Sequence, residues 1–188
     1  MTGEIYVLNS IACDASKYLL DLKKGELEKK FPPFFMHLTE LSVTEGEDTA
    51  KKIEGILTEL KRYSIYCEEM GEGGILNALW YMAEACATGF EIGLKKIPID
   101  QQTVEVLETY DINPYYARSR GTWLALTDDP AAFESVLHRA QISYGKIGTA
   151  NDTKKRTILN GESVRYLNRP QREELEKLSC EGERPDPS

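Results

Sequence analysis

The sequence predicts an α+β fold, a two-layer sandwich in which a mixed β-sheet carries helices on one face. Short segments rich in β-branched residues alternate with longer segments whose apolar residues recur at helical spacing. Asn160-Gly161 lies between the last two predicted strands, and this dipeptide is typical of a type I′ hairpin. A chain of 188 residues can bury a core of its own. We expect one domain over residues 1–180, with a strand and helical lead-in over 1–65 and an α/β core over 66–180.

The first third of the chain is predicted to be mainly helical. The predicted elements, in chain order, are a strand over residues 4–11, a helix with Asp14 as its N-cap that is broken at Gly25, a short helix over 25–30, and helices over 34–42 and 47–63. The short helix stops at Pro32 and Pro33 because a helix seldom continues into a proline.

Strands and helices alternate from residue 64 onward. The predicted strands cover 64–67, 90–94, 122–126, 143–147, 157–159 and 163–166, and the predicted helices cover 73–87, 101–110, 130–141 and 172–178. Asp129-Pro130 predicts the start of one of these helices, because an aspartate cap followed by proline is a favoured beginning. The polar, proline-containing residues 181–188 are expected to be a disordered tail.

The charge and the rare residue types argue against several classes of protein. A net charge of −8 disfavours binding to nucleic acid or to an anionic membrane surface. No apolar run approaches the roughly 20 residues of a membrane span, and the N-terminus lacks a signal-peptide pattern. The four cysteines are scattered without CxxC spacing, and the two histidines stand apart from them. We therefore expect a cytoplasmic protein with reduced thiols and no zinc site.

The start of the helix predicted over 73–87 is the best candidate for a binding site. It follows a glycine-rich turn, and free backbone N–H groups at a helix N-terminus favour phosphate or carboxylate. Glycine can equally be needed there for steric reasons alone, and GEGG is not a phosphate-loop signature. The candidate ligand residues are Gly71, Glu72, Gly73, Gly74, Asn77, Arg118, Arg120 and Gly121.

Charged residues near this turn leave two interpretations open. Glu68 and Glu69, together with Glu72, could bind a divalent ion, but glutamates near a helix start also simply suit the helix dipole, and we favour that interpretation. Arg118 and Arg120 could clamp an anion, or they could belong with the neighbouring tyrosines to a subunit contact. For the arginines the contact is favoured.

An ordered series of motifs carries a family resemblance. It consists of residues 72–80 (EGGILNALW), 82–85 (MAEA), 89–92 (GFEI), 97–99 (IPI), 113–115 (NPY), a strand after Gly121, 147–148 (IG) and the Asn160-Gly161 hairpin. With these motifs the chain resembles the C-terminal domain of the AIR synthase superfamily. That group includes aminoimidazole ribonucleotide synthase, the hydrogenase maturation factor, selenophosphate synthetase and thiamine-monophosphate kinase. The resemblance is greatest to the hydrogenase-maturation-like branch and covers almost the whole chain.

The resemblance implies the fold more strongly than it implies the chemistry. Family enzymes hold ATP and magnesium with an additional N-terminal domain, and we expect this chain to lack that domain. Relatives place His-Asp before the glycines, whereas this sequence has Glu68-Glu69 there and Gly71 in place of a small polar residue. Arg118 and Arg120 stand where small or acidic residues are usual. The hydrogenase maturation factor ends in a reactive cysteine, which Cys180 does not match because eight residues follow it.

Two functions from different classes follow from these observations. The favoured hypothesis is a non-catalytic binding or assembly module that acts as a homo-oligomer, such as a homodimer, or with a partner chain. The alternative is one half of a split ATP-dependent enzyme, in which a separate nucleotide-domain chain completes an ATP and magnesium site. A sensor of a small anionic ligand is a further, weaker hypothesis.

Overall fold

The computed structural model describes residues 2–180, with side chains described as far as Leu178. The strands are β1 (Gly3–Leu8), β2 (Tyr66–Glu69), β3 (Gly89–Gly93), β4 (Trp123–Thr127), β5 (Tyr144–Asn151), β6 (Arg156–Asn160) and β7 (Ser163–Tyr166). The helices are α1 (Cys13–Lys30), α2 (Pro33–Leu60), α3 (Gly74–Ala85), α4 (Gln101–Glu108), α5 (Pro130–Arg139) and α6 (Glu176–Cys180). A short 3₁₀ turn (Leu94–Lys96) follows β3. The tail predicted over 181–188 lies outside the described residues.

All seven strands form one mixed sheet in the order β2-β4-β1-β5-β3-β6-β7. Only the β3–β6 pair is parallel among the described strand pairs, and the others are antiparallel. The predicted α+β class is confirmed. β1 is an inner strand of the sheet, where it pairs with β4 and β5. The first residues of the chain are thus held by strands from its second half.

The two faces of the sheet carry separate apolar clusters. Alternate residues of β1 divide between them, since Ile5 and Val7 join the larger cluster and Tyr6 and Leu8 join the smaller one. α1, α3 and α4 pack into the larger cluster, whereas α5 and the C-terminal part of α2 pack into the smaller one. Helical coverage therefore extends beyond the one face expected from the sequence, because the smaller cluster lies on the opposite face.

The helices α1 and α2 are longer than predicted. α1 continues through Gly25 with only a local distortion at Lys23, where φ is −123° and ψ is 19°. α2 is a single helix of 28 residues, so the predicted break between 42 and 47 is wrong. A Cβ at Gly46 would lie 2.7 Å from the Sγ of Cys13, which means that glycine permits α1 and α2 to pack closely. Close packing of these two helices overrides the weak helix propensity of glycine.

Three local predictions have different outcomes. Asp129 caps α5 as predicted, because its side chain accepts a hydrogen bond from the Ala132 N–H. Asp14 lies in the first turn of α1, and the N-cap is Ala12, with a left-handed φ of 58°. The hairpin exists, but its two loop residues are Gly161 and Glu162, with positive φ only at Gly161. That pattern fits a type II′ turn, since type I′ needs positive φ at both positions.

Candidate functional site

Two consecutive glycines form the turn into α3. Gly73 has a φ of +79° and Gly74 a φ of +63°, which is the left-handed region that other residues seldom adopt. A Cβ on Gly74 would lie 2.6 Å from the Ala117 oxygen and 2.7 Å from the Tyr115 oxygen. The steric interpretation of these glycines therefore holds. Their conformation and the close approach of another loop both require glycine.

The loop over residues 113–121 packs directly on this turn. The Leu76 N–H donates to the Tyr115 oxygen at 3.2 Å, and the Ser119 N–H donates to the Gly71 oxygen at 3.2 Å. The loop thereby brings Arg118 and Arg120 beside the start of α3. Gly71 itself is exposed, and a Cβ there would meet nothing within 4 Å.

One backbone donor of the glycine turn and one of the 113–121 loop already share an acceptor from the same chain. The Gly73 N–H donates to Glu173 Oε2 at 2.5 Å, and the Arg118 N–H donates to Glu173 Oε1 at 2.8 Å. A carboxylate of the chain itself thus occupies the place at which the anion-binding interpretation put an external ligand. Glu173 was not among the candidate residues, because nothing in the sequence relates it to a turn 100 residues away.

Asn77 fixes the segment that carries Glu173. Its side-chain amide donates to the Gln171 oxygen at 2.7 Å and accepts from the Gln171 N–H at 3.0 Å. Asn77 is buried, so both of its polar groups find partners where water is excluded. This candidate ligand residue therefore binds the chain's own backbone.

The three glutamates near the turn have separate partners. Glu69 accepts from the Gly121 N–H at 2.7 Å, and Glu68 pairs with Lys61 at 3.1 Å. Glu72 pairs with Arg120 across 3.4 Å, with both side chains well exposed. No cluster of three or more metal-ligating side chains is present among the described residues. The structure therefore does not bring these carboxylates together on one point.

The two candidate arginines lie in different environments. The Arg118 Nε lies 2.9 Å from Asp14 Oδ2, and its guanidinium stacks over the Tyr18 ring at 4.7 Å. Burial raises the pKa of Asp14, and the nearby Arg118 charge opposes that rise. Arg118 is thus held in a half-buried structural pair, whereas Arg120 is exposed and pairs with Glu72 at the surface.

A cleft that the sequence did not indicate opens beside this loop. It has a volume of about 360 Å³ and lies between α1 and α2, under Gly121. The cleft is open because small residues such as Gly46 and Ala50 line it. The charged residues Lys17, Glu47 and Arg120 also line it. Lys17 is ion-paired with Glu47, and three acidic residues (Asp14, Glu47, Glu54) balance three basic ones (Lys17, Lys51, Arg120) over the whole lining.

The cysteines that the structure describes are structural. Cys13 and Cys67 are buried free thiols, and Cys86 is partly buried. Burial raises the pKa of Cys13 to about 12 and that of Cys67 to about 11, so neither is a thiolate near neutral pH. The side chain of Cys180 lies outside the described part of the chain.

These buried thiols predict a loss of stability in mild alkali. The unfolded chain releases the protons of Cys13 and Cys67 near the ordinary thiol pKa, whereas the folded chain retains them. The contribution of the two thiols to the free energy of unfolding is therefore complete below the ordinary thiol pKa and is lost as the pH rises above it. Between about pH 8 and about pH 9.5 we expect the free energy of unfolding to fall by about 2 kcal/mol. Urea denaturation across this range measures the fall, and Cys67→Ala should reduce its slope by about half. An unchanged slope in that variant would contradict the assignment.

Solved structures share this arrangement of helices and strands. E. coli HypE, a hydrogenase maturation protein, has a TM-score of 0.63 at 17% identity, over 93% of this chain and 52% of that chain. HypE in a HypE–HypF complex has a TM-score of 0.62 at 18% identity, over 90% of this chain and 54% of that chain. AaThiL complexed with AMPPCP and TMP has a TM-score of 0.58 at 13% identity, over 87% of this chain and 48% of that chain. The chain has the AIR synthase-related fold.

The AIR synthase-related fold is shared over only part of these proteins. The chain spans about half the length of the solved structures it matches. The sequence matches no protein-family model and no curated protein. None of the helices within residues 2–180 combines the length and apolar character that a membrane span requires.

Proposed function

We propose that this chain is a non-catalytic binding or assembly module with the AIR synthase-related fold, acting in the cytoplasm as a homo-oligomer or with a partner chain. The observation that carries the proposal is the position of Glu173. Its carboxylate accepts from the Gly73 and Arg118 N–H groups, which are the donors that a bound phosphate would need. A negative charge held there opposes the approach of a second anion.

The dispersal of the other candidate groups supports the same proposal. Glu68, Glu69 and Glu72 each have a different partner, and Arg118 is paired with Asp14. General acid–base or metal-assisted chemistry needs such groups to converge on one reacting atom. The arrangement suits a scaffold better than a reaction centre.

An exposed sheet edge supports a role in assembly. Among the described strands β7 pairs only with β6, and all four of its residues are exposed. Val164 is 59% exposed and Tyr166 is 64% exposed, and both lie on the same face of the strand. Exposed apolar side chains on an unpaired edge strand are a common feature of association surfaces. HypE, which has this fold, is found in a complex with HypF.

The split-enzyme hypothesis has its own support. AaThiL shares this fold over about half of its chain and is found complexed with AMPPCP and TMP. In that case a second chain would supply the ATP and magnesium ligands, and Arg120, which is exposed, would be the residue placed to reach them. A small-anion sensor would require displacement of Glu173 first.

Two measurements on the purified chain distinguish these functions. Light scattering coupled to size exclusion should give a mass above the 21.3 kDa of one chain, or a stable complex with a co-expressed neighbouring gene product. Titration calorimetry with ATP and Mg²⁺ should give no heat for the chain alone. A monomer without partners would overturn the assembly role. Heat with ATP, alone or with a partner, would favour the split enzyme instead.

A further inference from the structure

The free edge of β7 presents backbone groups that another strand can bind. The Leu167 N–H donates to the Arg156 oxygen at 2.8 Å, so the residue at position 167 directs its backbone groups towards β6. In an antiparallel pair such residues alternate with residues whose N–H and C=O groups point away from the partner strand. Val164 and Tyr166 therefore direct these groups outward, where no strand within the described residues meets them.

The side chains of β7 differ between its two faces. Arg165 lies on the face of the larger apolar cluster, because it pairs with Ile158, which belongs to that cluster. Val164 and Tyr166 lie on the opposite face, where both are exposed. A strand added at this edge would therefore meet one cation on one face and two apolar side chains on the other.

A groove beside Arg165 has room for a side chain of such a strand. It has a volume of about 290 Å³, and its lining includes Arg165, Tyr115 and Tyr116. Burial raises the pKa of Tyr116, and the charge of Arg165 opposes that rise, so the guanidinium lies near the phenol. Arg165 has no ion pair with any residue that the structure describes. A carboxylate on the added strand would supply one.

The charge around β7 is opposite in sign to the charge of the whole chain. Residues 153–170 contain five basic residues and one acidic residue, whereas the chain has a net charge of −8. Arg156 is paired with Glu84. The other basic residues of this segment are exposed, and they are Lys154, Lys155, Arg165 and Arg169. This local excess of positive charge favours an acidic partner.

A second copy of the chain fits this edge less well than an acidic segment does. Two antiparallel β7 strands would pair all of their outward backbone groups only with Val164 of one copy opposite Tyr166 of the other. That register sets each Arg165 directly opposite its counterpart, with about 4.5 Å between the Cα atoms. Like charges that face each other across a sheet are destabilising. The occupant that the edge favours is therefore a different, acidic chain.

We propose that the free edge of β7 binds an extended acidic segment of a partner protein, which joins the sheet as an additional strand. The segment has an apolar, acidic, apolar sequence. Its acidic side chain lies opposite Arg165, its two apolar side chains cover Val164 and Tyr166, and its backbone bonds to the outward groups of those two residues. This inference rests on the proposed function, because it names the chemistry of the partner chain.

A soluble peptide with Val-Glu-Val at the centre of a Gly/Ser sequence tests the proposal by NMR titration of the full chain. We expect saturable shifts of the Val164 and Tyr166 amide signals, with a dissociation constant of about 1 mM or below. The matched peptide with Val-Lys-Val should bind about fivefold more weakly or worse, because its lysine faces Arg165. Titration without saturable shifts at these two amides would overturn the proposal.

Three variants test whether the peptide binds at this edge. Val164→Pro removes an outward N–H and no bond to β6, so the fold should persist and binding of the Val-Glu-Val peptide should be lost. Arg165→Glu should reverse the preference, so that the Val-Lys-Val peptide binds more tightly. Arg169→Glu makes the same change of charge outside β7 and should keep the wild-type preference. An unchanged preference in Arg165→Glu, or a reversed one in Arg169→Glu, would refute the site.

The oligomeric state distinguishes failure of this site from failure of the proposed function. If the wild type is a homo-oligomer and Val164→Pro is a monomer by light scattering, a second copy occupies the edge. That result would refute the acidic segment and leave the assembly function intact. A homo-oligomer that persists in Val164→Pro, in a chain that binds neither peptide, would likewise refute the site alone.

Discussion

Gly74→Ala is expected to destabilise the protein by about 3 kcal/mol, because it combines a left-handed backbone with a backbone clash. The new Cβ would stand 2.6 Å from the Ala117 oxygen and 2.7 Å from the Tyr115 oxygen. Neither contact involves a flexible side chain, so relief requires movement of the 113–121 loop or of α3. Urea denaturation measures the loss as a lower midpoint with an unchanged slope.

Gly71→Ala is the matched control for that substitution. Gly71 lies in the same turn, but its φ is not positive and a Cβ there would meet nothing within 4 Å. We expect a change of stability within about 0.5 kcal/mol. If the two variants lost equal stability, the close approach of the loop to α3 would be wrong.

Phe133→Ala is expected to cost about 3–5 kcal/mol, since it empties a fully buried aromatic site in the smaller apolar cluster. The Phe133 ring lies 5.3 Å from the Tyr6 ring, centroid to centroid, and so joins α5 to the inner strand β1. The Tyr6 hydroxyl also donates to Glu134 Oε1 at 2.5 Å, next to Phe133 in the chain. Thermal and urea unfolding would both report the loss.

Phe34→Ala removes the same side chain from a site that is 72% exposed. It should change the free energy of unfolding by less than about 0.5 kcal/mol. A loss at Phe133 no larger than the loss at Phe34 would show that α5 does not seal the second face of the sheet.

Part of the candidate site could be predicted from local sequence, because its chemistry is local. A run of glycines before an apolar helix indicates positive φ and a close approach, and Gly73 and Gly74 show both. The sequence could not indicate which group would accept hydrogen bonds from the backbone N–H groups at this turn. Glu173 reaches them from a segment 100 residues away. No sequence pattern distinguishes this glutamate from the many other acidic residues of the chain.

The sequence by itself determined the alternation of strands and helices, the α5 cap at Asp129 and the mixed α+β class, since each depends on periodicity or on residues within one turn. Only the tertiary structure decided that α2 is one helix, because Gly46 is accommodated by its contact with Cys13 of another helix. Tertiary structure likewise placed α5 on the second face and Glu173 at the start of α3. Hydrogen bonds and packing between distant segments depend on the whole fold, whereas a sequence pattern reports only its own neighbourhood.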